Sequence, residues 1–200
     1  MRCGPRPWKA LPVLLSHSSA HNDMENTDKP KRFILDVDGV MTSGAFFYTS
    51  EGKAMKAFGP DDNDALSLLK PHLDIQFISG DKKGFPISQK RITEDMGFPL
   101  SLVSTIKRIE WISERFPMES VIYMGDGIFD HYVMRSVGYA IAPANADKLA
   151  KNSAHYVTER SGGDRAVAEA CLHVLEKFFT PYDPLALPRL GEKLSGSWAV

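Results

Sequence analysis

The sequence predicts an α/β fold: a parallel sheet with helices on both faces and a β-hairpin after the first strand. Three observations carry this. Short apolar, β-branched runs (RFILDVDGV, DIQFISG, SVIYMGDG) have the continuous hydrophobicity of strands buried on both faces. These runs alternate with segments of helical spacing, the pattern of a parallel sheet built from crossover units. Polar residues of catalytic type (Asp36, Asp38, Ser79 and Asp126) stand where the runs end, the edge at which such sheets bind ligands.

Taken in order, RFILDVDGV is the first strand, and AFFYTSEGKAMKAFG reads as two short strands around a turn at Ser50-Glu51-Gly52-Lys53. DNDALSLLKPHL is helical, with Ala65, Leu66, Leu68, Leu69 and Leu73 on one side. DIQFISG is a strand, PISQKRITEDMGF a helix closed by Gly97, and LSLVS a short strand. TIKRIEWISERF spaces Ile106, Ile109, Trp111, Ile112 and Phe116 close to a helical period. SVIYMGDG, the helix FDHYVMRSV, the strand YAIAP, the helix NADKLAKNSA and the strand HYVT follow. DRAVAEACLHVLEKFF closes the unit as a long amphipathic helix. The result is a Rossmann-like domain over 32–179, flanked by a disordered leader over 1–31 and an extended, proline-rich tail over 180–200.

Composition narrows the class. With 200 residues, 43% hydrophobic, 24% charged and a net charge of −1, the chain suits one core and lacks the basic excess of a nucleic-acid binder. No run approaches the ~18 apolar residues of a membrane span, and LPVLL is too short for a convincing signal peptide. The two cysteines, Cys3 and Cys171, point to a reducing cytoplasm rather than a disulfide framework; Cys171 reads as a small core residue. His72, His131, His155 and His173 show no metal-ligand spacing.

Carboxylates gathered at one sheet edge are costly unless a positive charge neutralises them. Mg²⁺ is the simplest such charge, since it takes one or two carboxylates together with waters and phosphate oxygens. A serine hydroxyl and a lysine ammonium beside it suit a transferring phosphoryl group. One aspartate can be the nucleophile, while a second, two positions on, protonates the leaving oxygen and then activates water.

In order, DVDGV, the FISG strand end, Lys107 and YMGDGIFD resemble the four motifs of haloacid dehalogenase superfamily phosphatases. DVDGVMTSGAFFY, EGKAMKAFGPDDNDALSLL and ERSGGDRAVAEA resemble more narrowly the capless branch that includes the 3-deoxy-manno-octulosonate 8-phosphate and related nine-carbon sugar-acid phosphatases. The resemblance implies Asp36 as nucleophile and metal ligand, and Asp38 as acid/base lending its backbone carbonyl to the metal. It implies Ser79 and Lys107 as holders of the phosphoryl group, Asp126 as the remaining metal ligand and Asp130 as support behind the site. Thr42 and Gly80, with Lys82 and Arg165 as replacement positive charge, are candidate substrate contacts. It further implies Mg²⁺ as cofactor, a small sugar-acid phosphate of lipopolysaccharide or capsule biosynthesis as substrate, and a homotetramer in which the flap and neighbouring subunits close the site.

The chain departs from that pattern where substrate is read. Asp81 stands where the branch has arginine, DKKGFPISQKR is longer, and RAVAE places Arg165 and Ala168 differently from the usual arginines. Losing guanidinium donors alters carboxylate or phosphate recognition. Two other readings are a catalytically weak oligomeric partner of a sugar-activating cytidylyltransferase-type enzyme and a signalling receiver domain, and a phosphatase for a different sugar phosphate is the alternative within the leading one. The intact aspartate set disfavours the first, and DVDGV on the first strand the second.

Overall fold

The computed structural model describes residues 29–186. Most of the leader and of the tail expected at 1–31 and 180–200 therefore lies outside the described residues. Six parallel strands form one sheet in the order β5-β4-β1-β6-β7-β8: β1 (Arg32–Asp36), β4 (Asp74–Ser79), β5 (Leu100–Leu102), β6 (Val121–Met124), β7 (Tyr139–Ala142) and β8 (Tyr156–Val157). The antiparallel pair β2 (Phe47–Thr49) and β3 (Gly52–Met55) is the expected flap. No large cap interrupts the described residues.

Alternation along β1 builds the two cores. Phe33 and Leu35 face one side, where α1 (Asp61–Leu69) and α6 (Ala166–Phe178) bring Leu66, Leu69, Val167, Cys171 and Val174. Ile34 faces the other, against Tyr123 and Ile78 and against α3 (Arg108–Ser113), α4 (Asp130–Met134) and α5 (Lys148–Ser153). Cys171 is fully buried, and burial pushes its thiol well up, so it is packing and not a nucleophile.

Register delivers the polar residues to one edge. Leu35 pairs with Met124 and Asp36 with Ile78, so Asp36 ends β1 beside Ser79 and the loop carrying Asp126. Two segments differ from the sequence reading. The helix expected over PISQKRITEDMGF is a short α2 (Phe85–Gln89) continued by a π-helical turn over Lys90–Asp95. The wider turn absorbs extra length while Ile92, Met96 and Phe98 stay in the core. The helix around Lys107 is also turned differently: Ile106 is 67% exposed, and the inward pair is Arg108 and Ile112, four residues apart.

Candidate active site

Asp36 is 5% exposed, with one oxygen accepting the Val37 N–H at 2.7 Å and the other Arg108 Nη1 at 2.7 Å. Arg108 is itself buried, and the same nitrogen donates to Asp130 Oδ1 at 2.7 Å and to the Tyr123 hydroxyl at 3.0 Å. Tyr123 in turn donates to Asp130 Oδ1 at 2.6 Å. Asp130 Oδ2 takes the N–H groups of Asp126 and Gly127 at 3.0 and 2.8 Å, fixing the loop that presents Asp126. Asp130 thus supports the site from behind.

Behind Asp36 the chain turns sharply. Gly39 has φ +87°, and a Cβ there would lie 2.0 Å from Asp126 Oδ2, so only glycine lets the two loops approach. Thr42 Oγ1 accepts the N–H groups of Gly39 and Gly44, which makes Thr42 a lock on this loop rather than a wall of the cleft. Gly162 presses on the same loop from the other side, where a Cβ would lie 1.9 Å from the Gly39 carbonyl oxygen. The glycines of ERSGGDRAVAEA therefore serve close packing against DVDGV.

Asp38 faces the flap. Its Oδ2 accepts from Ser79 Oγ at 3.2 Å, and Lys56 Nζ stands 2.7 Å from Oδ1. A cleft of about 350 Å³ is lined by Asp36, Asp38, Arg108 and Asp126, by Gly80 and Asp81 after β4, by Thr105 at the start of a short 3-10 turn, and by Phe46 and Lys53 from the flap.

The charge balance calls for a cation. Oxygens of Asp36, Asp126 and Asp130 lie within 4.8 Å of one another. Burial is the main reason that the Asp36 carboxyl is pushed up to about 6, with Asp130 adding to it and Arg108 opposing. Asp126 is pushed further, to about 8, by burial and by the charges of Asp36 and Asp130. With Asp130 already saturated by four donors, Asp36 and Asp126 are the carboxylates left to ligate, and hard oxygen donors of this kind fit Mg²⁺.

The structure brings together Asp36, Asp38, Ser79, Gly80, Asp126 and Asp130, and it leaves four sequence candidates outside. Lys107 is 65% exposed and pairs with Glu110 at 2.7 Å; Arg108, one residue on, takes the place beside Asp36 because the helix turns that side inward. Lys82 is exposed and does not line the cleft. Arg165 pairs with Asp61 of α1, on the side of the sheet where α1 and α6 pack. Thr42 locks its loop, as described above. The sequence reading also missed Lys53 and Lys56, whose role depends on where the flap folds. Arg108 had a signal, its spacing of four from Ile112, which the exposed Ile106 and Ile109 masked.

Comparisons with known proteins agree with this architecture. Residues 109–170 match the haloacid dehalogenase-like hydrolase family. The 3-deoxy-D-manno-octulosonate 8-phosphate phosphatase of Yersinia pestis is 31% identical over 148 residues, covering 69% of this chain and 75% of that one. Among solved structures, the cobalt-bound deoxy-D-mannose-octulosonate 8-phosphate phosphatase of Haemophilus influenzae superposes with a TM-score of 0.67 at 27% identity, covering 74% of this chain and 89% of that one. The Moraxella catarrhalis 3-deoxy-D-manno-octulosonate 8-phosphate phosphatase, solved with magnesium, phosphate and KDO, gives 0.66 at 25% identity, covering 74% and 87%. The chain belongs to the haloacid dehalogenase-like hydrolases. Within them it is a phosphatase resembling the 3-deoxy-D-manno-octulosonate 8-phosphate enzymes.

Proposed function

We propose that the protein is a Mg²⁺-dependent phosphomonoesterase acting on an eight- or nine-carbon 3-deoxy-2-keto sugar-acid phosphate through an aspartyl-phosphate. The observation that carries the chemistry is the placement of Asp36 against buried Arg108 and beside Asp126, with Asp38 across the cleft on Ser79. Kinship with the sugar-acid phosphatases supports the substrate class.

Asp36 attacks phosphorus, an Asp36 O–P bond forms, and the ester P–O bond breaks. Asp38 gives its proton to the leaving sugar oxygen, then takes one from the water that attacks the aspartyl-phosphate. Inorganic phosphate leaves, and Asp36 is regenerated. Arg108 holds Asp36 in line and supplies fixed positive charge to the transferring group. Ser79 and Lys56 hold Asp38 on the far wall. Mg²⁺, bound through Asp36, Asp126 and the Asp38 carbonyl, would neutralise charge on the phosphoryl oxygens.

The flap exposes Phe47 (53%), Tyr48 (63%) and Met55 (59%), an apolar surface suited to a second copy, which supports a homotetramer as the working assembly. The paucity of cysteines supports a cytoplasmic setting. Within the described residues no helix is long and apolar enough to cross a membrane. The test is phosphate release from a panel of eight- and nine-carbon sugar-acid phosphates and hexose phosphates at equal enzyme concentration. Preference for the acids supports the assignment; equal turnover removes it.

A further inference from the structure

The outer wall of the cleft is made by the flap, and Asp81 is where the flap is fastened. Asp81 Oδ1 accepts the Gly84 N–H at 3.0 Å, and Oδ2 meets Lys53 Nζ at 2.5 Å and Lys56 Nζ at 3.0 Å. Burial alone would raise this carboxyl, yet the hydrogen bonds from Lys53, Lys56 and Gly84 prevail and hold it down at about 2. Both oxygens are engaged by the protein's own donors, so Asp81 does not present a free carboxylate to a substrate.

The two lysines differ in what they have left to offer. Lys56 is fully buried, donates to Ser88 Oγ (2.8 Å), and its ammonium is held between the carboxylates of Asp38 (2.7 Å) and Asp81 (3.0 Å). Lys53 has one acceptor among the described residues, Asp81, and its ammonium stands 3.2 Å from the centroid of the Phe46 ring. Lys53 and Phe46 both line the cleft together with Asp36, Arg108 and Asp126. With a side-chain exposure of 5%, this ammonium has lost most of its water while keeping donors to give. An ammonium so placed binds an anion far more strongly than one in bulk solvent. It also offsets the negative charge that Asp81 would otherwise impose on the wall.

We propose that Lys53 is the residue that selects substrate in this chain. It takes a carboxylate carried by the part of the substrate distant from the phosphate, Phe46 packs against the carbon chain between, and Asp81 positions Lys53. The proposal rests on the phosphomonoesterase reading and names the group that reads its second anion.

Gluconate phosphate and glucitol phosphate, which differ in one carboxylate, separate the possibilities. With Mg²⁺ present, the wild type should favour the carboxylated ester in kcat/KM. Lys53→Met should shrink that preference by about 10- to 100-fold, the range for one charge-assisted hydrogen bond, and Lys53→Arg should restore most of it. Asp81→Asn should lower the same preference through KM rather than kcat. Equal losses on both esters in Lys53→Met, or an undiminished preference, would overturn the proposal. If the wild type releases phosphate from no monoester, the functional reading fails on its own. Calorimetric binding of the same two compounds to wild type and Lys53→Met then decides this inference, and equal affinity in the wild type overturns it.

Discussion

Replacing Arg108 is the sharpest perturbation of the site, because its neighbour in sequence provides an internal control. Arg108 is 2% exposed and bridges Asp36 and Asp130, each at 2.7 Å. Burial works against its charge, but Asp36, Tyr123 and Asp130 more than offset that and push its pKa up. Arg108→Met leaves two buried carboxylates facing each other across the gap. Breaking one buried pair costs about 3–5 kcal/mol. Asp130 keeps Tyr123 and two backbone N–H groups, so the expected loss is near the lower end, about 3 kcal/mol, in urea unfolding without Mg²⁺. Catalysis loses fixed positive charge at the reacting group, which should lower kcat by about 100- to 1,000-fold on p-nitrophenyl phosphate. Arg108→Lys keeps the charge without the planar fork and should fall between. Lys107→Ala removes only a surface pair with Glu110, and kcat/KM should stay within about twofold of wild type. A loss in Lys107→Ala as large as that in Arg108→Met would refute the assignment of Arg108.

Three further outcomes follow from the same geometry. The Asp126 carboxyl is pushed up to about 8, mainly by burial, so Mg²⁺ must displace a proton and its affinity should fall as pH drops below about 8. At 100-fold excess over its Kd the ion should add about 2.7 kcal/mol of stability in thermal unfolding, and Asp126→Asn should abolish that gain; an undiminished gain would contradict Asp126 as ligand. Gly39→Ala places a Cβ 2.0 Å from Asp126 Oδ2 at a φ of +87°, and should lose both stability and the Mg²⁺-dependent shift; wild-type behaviour would mean the two loops are not packed as described. Asp62, 2% exposed, has its carboxyl pushed up to about 6 chiefly by burial, against the opposing Ala168 N–H. A raised folded-state pKa means stability present in full below the unfolded value of 3.8 and lost as pH rises through about 6. Asp62→Asn should therefore match wild type in urea unfolding near pH 4 and exceed it by up to about 3 kcal/mol at pH 8; an equal difference at both pH values would refute the burial argument.

The sheet was legible because its strands carry their own signature. RFILD, DIQFIS and VIYM are apolar on both faces, and the polar residues that end them fall at one edge whatever the helices do. Asp36, Asp38, Ser79 and Asp126 were therefore readable from position alone. Arg108 was hidden because two exposed isoleucines, Ile106 and Ile109, imitate an inward face, and the helix is short enough that its phase is set by contacts rather than period. Thr42 and Arg165 were drawn to other partners, the first to the N–H groups of its own loop and the second to Asp61, 104 residues away along the chain. Asp81, which Lys53 and Lys56 share, lies 28 and 25 residues further along the chain, and the contact depends on a flap that no local pattern orients.

In the proposed mechanism Asp36 carries a phosphoryl group from a sugar-acid phosphate to water with Mg²⁺ present. The decisive assay is phosphate release from an eight- or nine-carbon 3-deoxy-2-keto sugar-acid phosphate, followed in wild type and Asp36→Asn with Mg²⁺ and with chelator. Wild type should turn over with Mg²⁺ and not with chelator, and Asp36→Asn should release no phosphate under either condition. Undiminished turnover by Asp36→Asn, or no release by wild type with the metal, would contradict that mechanism.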